Sequence, residues 1–117
     1  MRPTVLIVDD HADFRAAARD LLEAGGFTVL GEAADGDEAY AKIALLQPTI
    51  VLLDIQLPGA DGFVVAEKIA ETSSPPVVVL ISSRDAAAYG DRVARSSARG
   101  FIAKRQLSGG ELAALVR

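Results

Sequence analysis

Short apolar runs alternate with helically spaced segments from one end of the chain to the other. The runs are Val5–Val8, Phe27–Leu30, Ile50–Leu53, Val77–Ile81 and Phe101–Ala103. A strand with one wet face alternates apolar and polar residues. These runs are mostly short, β-branched and continuous, as expected of strands covered on both faces in a parallel sheet. They predict strands at about 4–8, 27–32, 49–53, 76–81 and 100–103. Between the first two, Phe14, Ala17, Ala18, Leu21 and Leu22 follow the i, i+3, i+4, i+7, i+8 spacing of one buried helix face. Gly25 and Gly26 then end that helix, because glycine tolerates the left-handed C-cap conformation. Asp35 with Glu38, and Ser108 with Glu111, have the spacing of capping boxes at two further helix starts. Pro48 and the Pro75–Pro76 pair precede strands and stop the helices before them. The expected architecture is α/β: (βα)5, with helices on both faces of a doubly wound five-stranded parallel sheet. Asp85–Ser97, with Gly90, several serines and few large apolar residues, is expected to form the least stable helix.

Composition narrows this picture. A chain of 117 residues, half of them apolar, fits one domain with a sizeable core, spanning residues 1–117. There is no cysteine, hence no disulfide framework or thiolate metal site. No stretch approaches the roughly 18 apolar residues of a membrane span, and Arg2–Pro3 lead straight into the first apolar run without a signal peptide. A soluble, cytoplasmic chain is expected, with no membrane partner. A net charge of −4 argues against direct nucleic-acid binding, which needs lysines and arginines to replace counterions. Arg92, Arg95, Arg99, Lys104 and Arg105 thicken the C-terminal third and read as a solvated helix face beside one useful lysine.

Sites in open parallel sheets form beyond the carboxyl ends of the strands. Asp9 and Asp10 follow the first run, Asp54 the third, Ser82 and Ser83 the fourth, and Lys104 the fifth. Taken singly, such residues are ordinary: an aspartate there is often a helix N-cap, a serine a turn residue, a lysine a surface group. Jointly they bring three carboxylates, a hydroxyl and an ammonium to one edge. Crowded carboxylates raise one another's pKa unless a cation lies between them. A hard divalent ion with oxygen ligands, Mg²⁺ above all, suits such a site. One carboxylate is then placed to attack phosphorus without a separate base, while metal, lysine and hydroxyl hold the equatorial oxygens.

By these residues the chain resembles, over essentially its whole length, the receiver domain of bacterial two-component response regulators. The first strand ends in an acidic pair, Asp9–Asp10. Leu53–Gly62 (Leu-Asp-Ile-Gln-Leu-Pro-Gly-Ala-Asp-Gly) is similar to the phosphoacceptor loop, Ser82–Ser83 to the fourth-strand hydroxyl and small residue, and Lys104 to the fifth-strand lysine. The family's switch aromatic falls on Phe101. The resemblance implies a flavodoxin-like receiver fold and phosphorylation of Asp54 by a sensor histidine kinase. It implies Mg²⁺ held by Asp10, Asp54 and the Gln56 backbone carbonyl, with Asp9 assisting through water. Ser82 and Lys104 would grip the phosphoryl oxygens. Movement of Ser82 and Phe101 would then reshape the surface of the fourth helix, fifth strand and fifth helix. Such a domain is a signalling module with only self-catalysed phosphorylation and dephosphorylation, not an enzyme acting on other substrates.

Three positions depart from the usual pattern. Arg105 stands where a proline, often cis, follows the lysine, so a trans peptide is expected. Serine replaces the commoner threonine at Ser82. Gln56 and Arg84, two residues beyond Asp54 and Ser82, either shield the phosphoryl group from water and lengthen its life or are merely solvated. His11, the only histidine, reads as a loop residue opening the first helix rather than a metal ligand or phosphate relay. The Asp-Asp-His start with Phe14–Arg15 is similar to regulators that carry a helix-turn-helix output domain. DNA contact and transcriptional control would then belong to a domain outside these 117 residues, with a phosphorylation-dependent homodimer as a further expectation; a stand-alone receiver is the other. The fifth helix is expected from about Ser108 to Arg117.

Three other functions remain to be weighed. An aspartyl-phosphate phosphatase or phosphotransferase usually carries a second acid where Gln56 stands, and a capping insertion. A degenerate receiver would have lost the acidic pair, the acceptor or the lysine. A flavin or nucleotide domain would need a glycine-rich loop after the first strand.

Overall fold

Each continuous apolar run becomes a strand of one parallel sheet. The computed structural model describes residues 2–116, so the expected helix terminus at Arg117 lies outside the described residues. The sheet comprises β1 (Thr4–Val8), β2 (Thr28–Ala33), β3 (Ile50–Asp54), β6 (Val77–Ser82) and β7 (Gly100–Ala103), in the order β2-β1-β3-β6-β7. All of its pairings are parallel. The helices are α1 (Ala12–Ala24), α2 (Gly36–Leu46), α3 (Gly62–Ala70), the single turn α4 (Arg92–Arg95) and α5 (Gly109–Val116). A two-residue hairpin, β4 (Gln56–Leu57) with β5 (Ala60–Asp61), lies between β3 and α3 and was not legible as an element.

The sheet divides the core in two. Along β1, Leu6 and Val8 pack with Val51, Leu53 and Leu80 against Phe63, Val65 and Ile69 of α3. Val5 and Ile7 pack with Leu52, Val79 and Ile81 against Ala18 and Leu22 of α1 and Leu112 of α5. Side chains alternate faces along a strand, so a run apolar at every position feeds both halves. Each fully buried Leu, Ile or Val stabilises by roughly 1.5–3 kcal/mol relative to exposure. The strand order reverses at β1 and β3, whose following helices lie on opposite faces; this opens a crevice at their carboxyl ends.

Local signals account for the helix ends. Gly26 takes φ +94°, the left-handed conformation anticipated after α1. Asp35 caps α2 by accepting from the Glu38 amide at 2.9 Å, while Glu38 accepts from Ala34, one residue before the usual capping-box partner. Ser108 accepts from the Glu111 amide at 3.1 Å. The segment Asp85–Ser97 forms no continuous helix: a 3-10 turn, Ala86–Tyr89, is separated from α4 by Gly90 at φ +60°, and neither piece contains a buried residue. With no apolar face to bury, the segment has little to offset the entropy of ordering it.

The α1 face differs from its spacing. Ala18 and Leu22 are buried and Phe14 is half-buried, but Ala17 is exposed and Leu21 is 45% exposed. The helix is turned so that Arg15 and Arg19 overlie β2, where both pair with Glu32 at 2.9 and 3.0 Å. Burial pushes the Glu32 carboxyl up, but the two guanidinium groups outweigh it and hold the carboxyl below its usual range. Arg15 also donates to the Asp9 carbonyl at 2.6 Å, tying α1 to the loop that leaves β1.

Candidate functional site

The β1–β2 ladder runs one residue beyond β1, because the Asp9 amide donates to the Ala33 carbonyl at 2.9 Å. That carries Asp9 into the interior, where its carboxylate is fully buried, while Asp10 stays at the rim. Asp54 and Ser82, which the sequence placed just after their runs, are the last residues of β3 and β6 and are both buried. Lys104 leaves the end of β7 and reaches back across the edge. Its Nζ lies 2.5 Å from Asp9 Oδ2 and 3.2 Å from Asp54 Oδ2, and 4.6 Å from the centre of the Phe14 ring. Asp9, Asp54 and Lys104 therefore converge with Asp10 on the β1–β3 crevice, and Ser82 ends the neighbouring strand β6.

Charge balance shapes what this crevice accepts. Three carboxylates against one ammonium leave two net negative charges in a partly desolvated place. Burial, aided by the Asp9 charge, pushes the Asp54 carboxyl up, despite the Gln56 amide that donates to its Oδ1 at 3.1 Å and the charge of Lys104. Burial also disfavours the Lys104 ammonium, but Asp9 and Asp54 outweigh it and raise its pKa. Asp9 Oδ1 accepts from the His11 amide at 2.8 Å, while the buried Asp9 Oδ2 faces the Lys104 ammonium. Ligand atoms of Asp9, Asp10, His11 and Asp54 all lie within 4.8 Å of one another. Oxygen-rich, doubly negative and with its carboxylates drawn this close, the cluster fits a hard divalent cation.

The remaining predicted positions surround this centre. Ser82 Oγ lies 2.6 Å from the Tyr89 hydroxyl and accepts from the Arg84 amide at 3.0 Å. Gln56 begins the small hairpin and Arg84 follows β6, both with exposed side chains. Phe101 is half-buried, its ring 6.3 Å from that of Tyr89. No described peptide is cis, in agreement with the expectation for Lys104–Arg105, and the Arg105 guanidinium pairs instead with Asp85 across the edge. His11 is the N-cap residue of α1, as its position suggested. Its ring nevertheless stands 3.0 Å from Asp9 and 3.1 Å from Asp10, closer to the site than a loop residue need be.

Two residues escaped the sequence reading. Arg15 entered the sequence reading only within the Phe14–Arg15 resemblance, and only its contact with the Asp9 carbonyl links it to the site. Tyr89 had one available signal: it is the only aromatic in the polar, alanine-rich stretch after Ser83 and before Gly100. A groove of about 490 Å³ beside the starts of β3 and β6, lined by Tyr40, Ile43, Pro48, Ile69 and Pro76 among others, lies away from all of these groups. It holds no carboxylate or lysine.

Comparison with known proteins agrees with this geometry. The family model for the response regulator receiver domain matches residues 5–117. The DNA-binding transcriptional activator EvgA of Escherichia coli K12 is 31% identical over 101 residues, which is 86% of this chain and 50% of that protein. A protein-glutamate methylesterase/protein-glutamine glutaminase of Geobacter metallireducens is 45% identical over 83 residues, 70% of this chain and 24% of its own length. The signal receiver domain of NarL from Mycobacterium tuberculosis superposes with a TM-score of 0.84 at 32% identity, covering 97% of this chain and 96% of that one. The chain spans about half the length of EvgA and a quarter of the methylesterase. Relatives with such different further domains share the edge-of-sheet domain rather than one output.

Proposed function

The chain belongs to the response regulator receiver domain family, and on that premise we propose that Asp54 accepts a phosphoryl group from the phosphohistidine of a sensor kinase. One observation carries the assignment: Asp54 is the carboxylate that Lys104 and the Gln56 amide both hold at the mouth of the β1–β3 crevice. Its Oδ attacks phosphorus in line, forming an acyl phosphate as the P–N bond to the donor imidazole breaks. Lys104 neutralises charge on the equatorial oxygens. Ser82 donates to another of them, and the fixed Gln56 amide keeps the carboxylate oriented. Asp10, Asp54 and the Gln56 carbonyl would hold Mg²⁺, with Asp9 assisting through water. When bound, the ion supplies the positive charge that the crevice lacks and stabilises charge on the transferring group.

Treating the protein with acetyl phosphate and Mg²⁺ and weighing it should show one added phosphate on wild type and none on Asp54→Ala. Equal labelling of the variant would refute the assignment. A phosphatase-type enzyme would instead turn over small phosphate esters, and the exposed amide of Gln56 offers no second acid for that chemistry.

Arg84 and Gln56 flank the acceptor from β6 and from the hairpin and would hinder attack by water, lengthening the phosphorylated state. Arg84→Ala should lose phosphate on the order of threefold faster, about 0.7 kcal/mol of barrier, in a chase followed by mass. An unchanged half-life would leave Arg84 solvated and idle.

Transfer would bias the domain toward a second conformation in which Ser82 and Phe101 have moved, reshaping the surface of α4, β7 and α5. That surface would control dimerisation and a transcriptional output domain of the kind EvgA carries; any DNA contact would be made there. Among the described residues no helix is long and apolar enough to cross a membrane, and a cytoplasmic location is proposed from the family alone.

A further inference from the structure

Tyr89 belongs to none of the groups assigned above, yet it touches two of them. It is the only partly buried residue of the 3-10 turn Ala86–Tyr89. Its ring packs edge-on to Phe63 with centroids 5.8 Å apart and lies 6.3 Å from Phe101. Its hydroxyl is 2.6 Å from Ser82 Oγ.

Hydrogen-bond accounting assigns the direction of that contact. A serine hydroxyl has one proton and two lone pairs. One lone pair of Ser82 receives the Arg84 amide. Ser82 is fully buried, and among the described residues Tyr89 Oη is its only other hydrogen-bond partner. Were Tyr89 the donor, the Ser82 proton would be left unsatisfied in the interior, which is costly. With Ser82 donating, every group is satisfied, because the partly exposed Tyr89 can direct its own proton to water. The only hydroxyl proton available to a phosphoryl oxygen from β6 is therefore already engaged.

We propose that Tyr89 is a positioning residue that holds Ser82 in the resting state. A phosphoryl oxygen on Asp54 must displace Tyr89 as the acceptor of the Ser82 proton. Tyr89 then loses the only side-chain hydrogen bond it makes among the described residues, and its ring is free to shift between Phe63 and Phe101. In this way the event at Asp54 would be felt by the weakly held 3-10 turn, where Gly90 and exposed neighbours offer little resistance. This role rests on the assignment of Asp54 as phosphoacceptor.

The test uses the whole chain, Tyr89→Phe and two calorimetric titrations. The first is with Mg²⁺ alone; the second, at saturating Mg²⁺, is with beryllofluoride as a non-covalent phosphoryl mimic. Removing the hydroxyl takes away one resting-state hydrogen bond, so beryllofluoride should bind about fivefold tighter. The Mg²⁺ affinity should stay as in wild type, since the carboxylates are untouched. Labelling by acetyl phosphate should accelerate in proportion. A general packing defect would weaken both titrations, and that result overturns the role. Beryllofluoride binding equal to or weaker than wild type, with Mg²⁺ unchanged, also overturns it and leaves Asp54 as acceptor. Failure of wild type itself to bind beryllofluoride would remove the acceptor assignment and this role together.

Discussion

Replacing Lys104 with methionine is expected to cost the metal-free protein about 3 kcal/mol or more, because it strands two buried carboxylates. Methionine preserves most of the stem's volume, so the effect isolates the charge. The Nζ sits 2.5 Å from Asp9 and 3.2 Å from Asp54, and the Lys104 side chain is only 14% exposed. Without it, only the His11 and Gln56 amides and the His11 ring are left beside the pair among the described residues. The loss should be large in urea melts with chelator and smaller with Mg²⁺, since a cation bound to the folded state alone stabilises it by mass action. Mg²⁺ itself should bind more tightly to the variant, having one ammonium fewer to repel it. The deficit should also depend on pH. The folded-state pKa of Asp54 lies above the unfolded value, and the variant should raise it further. Such a group favours folding most when it is protonated, and that advantage disappears as pH rises through the raised pKa. The variant should therefore approach wild type as pH falls from that raised value toward the ordinary aspartate range. Phosphorylation by acetyl phosphate should slow on the order of a hundredfold, the scale of losing one preorganised charge contact. A variant as stable as wild type in chelator would contradict the ion-pair account.

Gly62→Ala should be as damaging for a different reason. A Cβ there would collide with the Asp54 carbonyl oxygen and lie 2.5 Å from Ile55 Cα, both backbone atoms that cannot rotate away. The Gly62 amide also donates to the Ile55 carbonyl at 2.7 Å, so the start of α3 is clamped onto the chain just after Asp54. Overpacking usually costs about 1–3 kcal/mol; with only backbone to displace, about 3 kcal/mol or more is expected. The movement falls on the segment that carries Asp54 and Gln56, so Mg²⁺ affinity and labelling should drop together. Gly59→Ala supplies the contrast. Gly59 has φ +66° and open space around it, so alanine there should cost only about 1–2 kcal/mol of backbone strain and leave Mg²⁺ binding unchanged. Similar losses at the two glycines, measured by denaturant melts, would show that steric closure at Gly62 is not what the loop requires.

Much of the site was legible before any coordinates. Asp9, Asp10, Asp54, Ser82 and Lys104 could be picked out because a doubly wound parallel sheet places every strand's carboxyl end on one edge. Naming the residues after each apolar run is therefore nearly the same as naming the site. Strand ends moved by a residue, with Asp54 and Ser82 inside β3 and β6. That shift is small because backbone pairing continues as long as a neighbour is available. Less of the surroundings could be read. Leu21 matched a buried helical spacing but stays in solvent, since the rotation of α1 is decided by the Arg15 and Arg19 pairs with Glu32 on another strand. The antiparallel hairpin of β4 and β5 is too short to leave a periodic signal. Tyr89 stood out only as a lone aromatic, because its importance is a contact seven residues away across a turn, not a pattern.

What the sequence determined by itself was thus the layer architecture, the edge on which chemistry gathers and the chemical character of that edge, all of which follow from local periodicity and a single topological rule. Only the tertiary structure decided which charges are buried and by what they are balanced. It set Lys104 between Asp9 and Asp54, buried Asp9 Oδ2 against the Lys104 ammonium, packed Gly62 against the Asp54 backbone and brought the Ser82 hydroxyl against that of Tyr89. Those are distances between groups far apart along the chain, fixed by how two half-cores close on one sheet, and no local pattern encodes them.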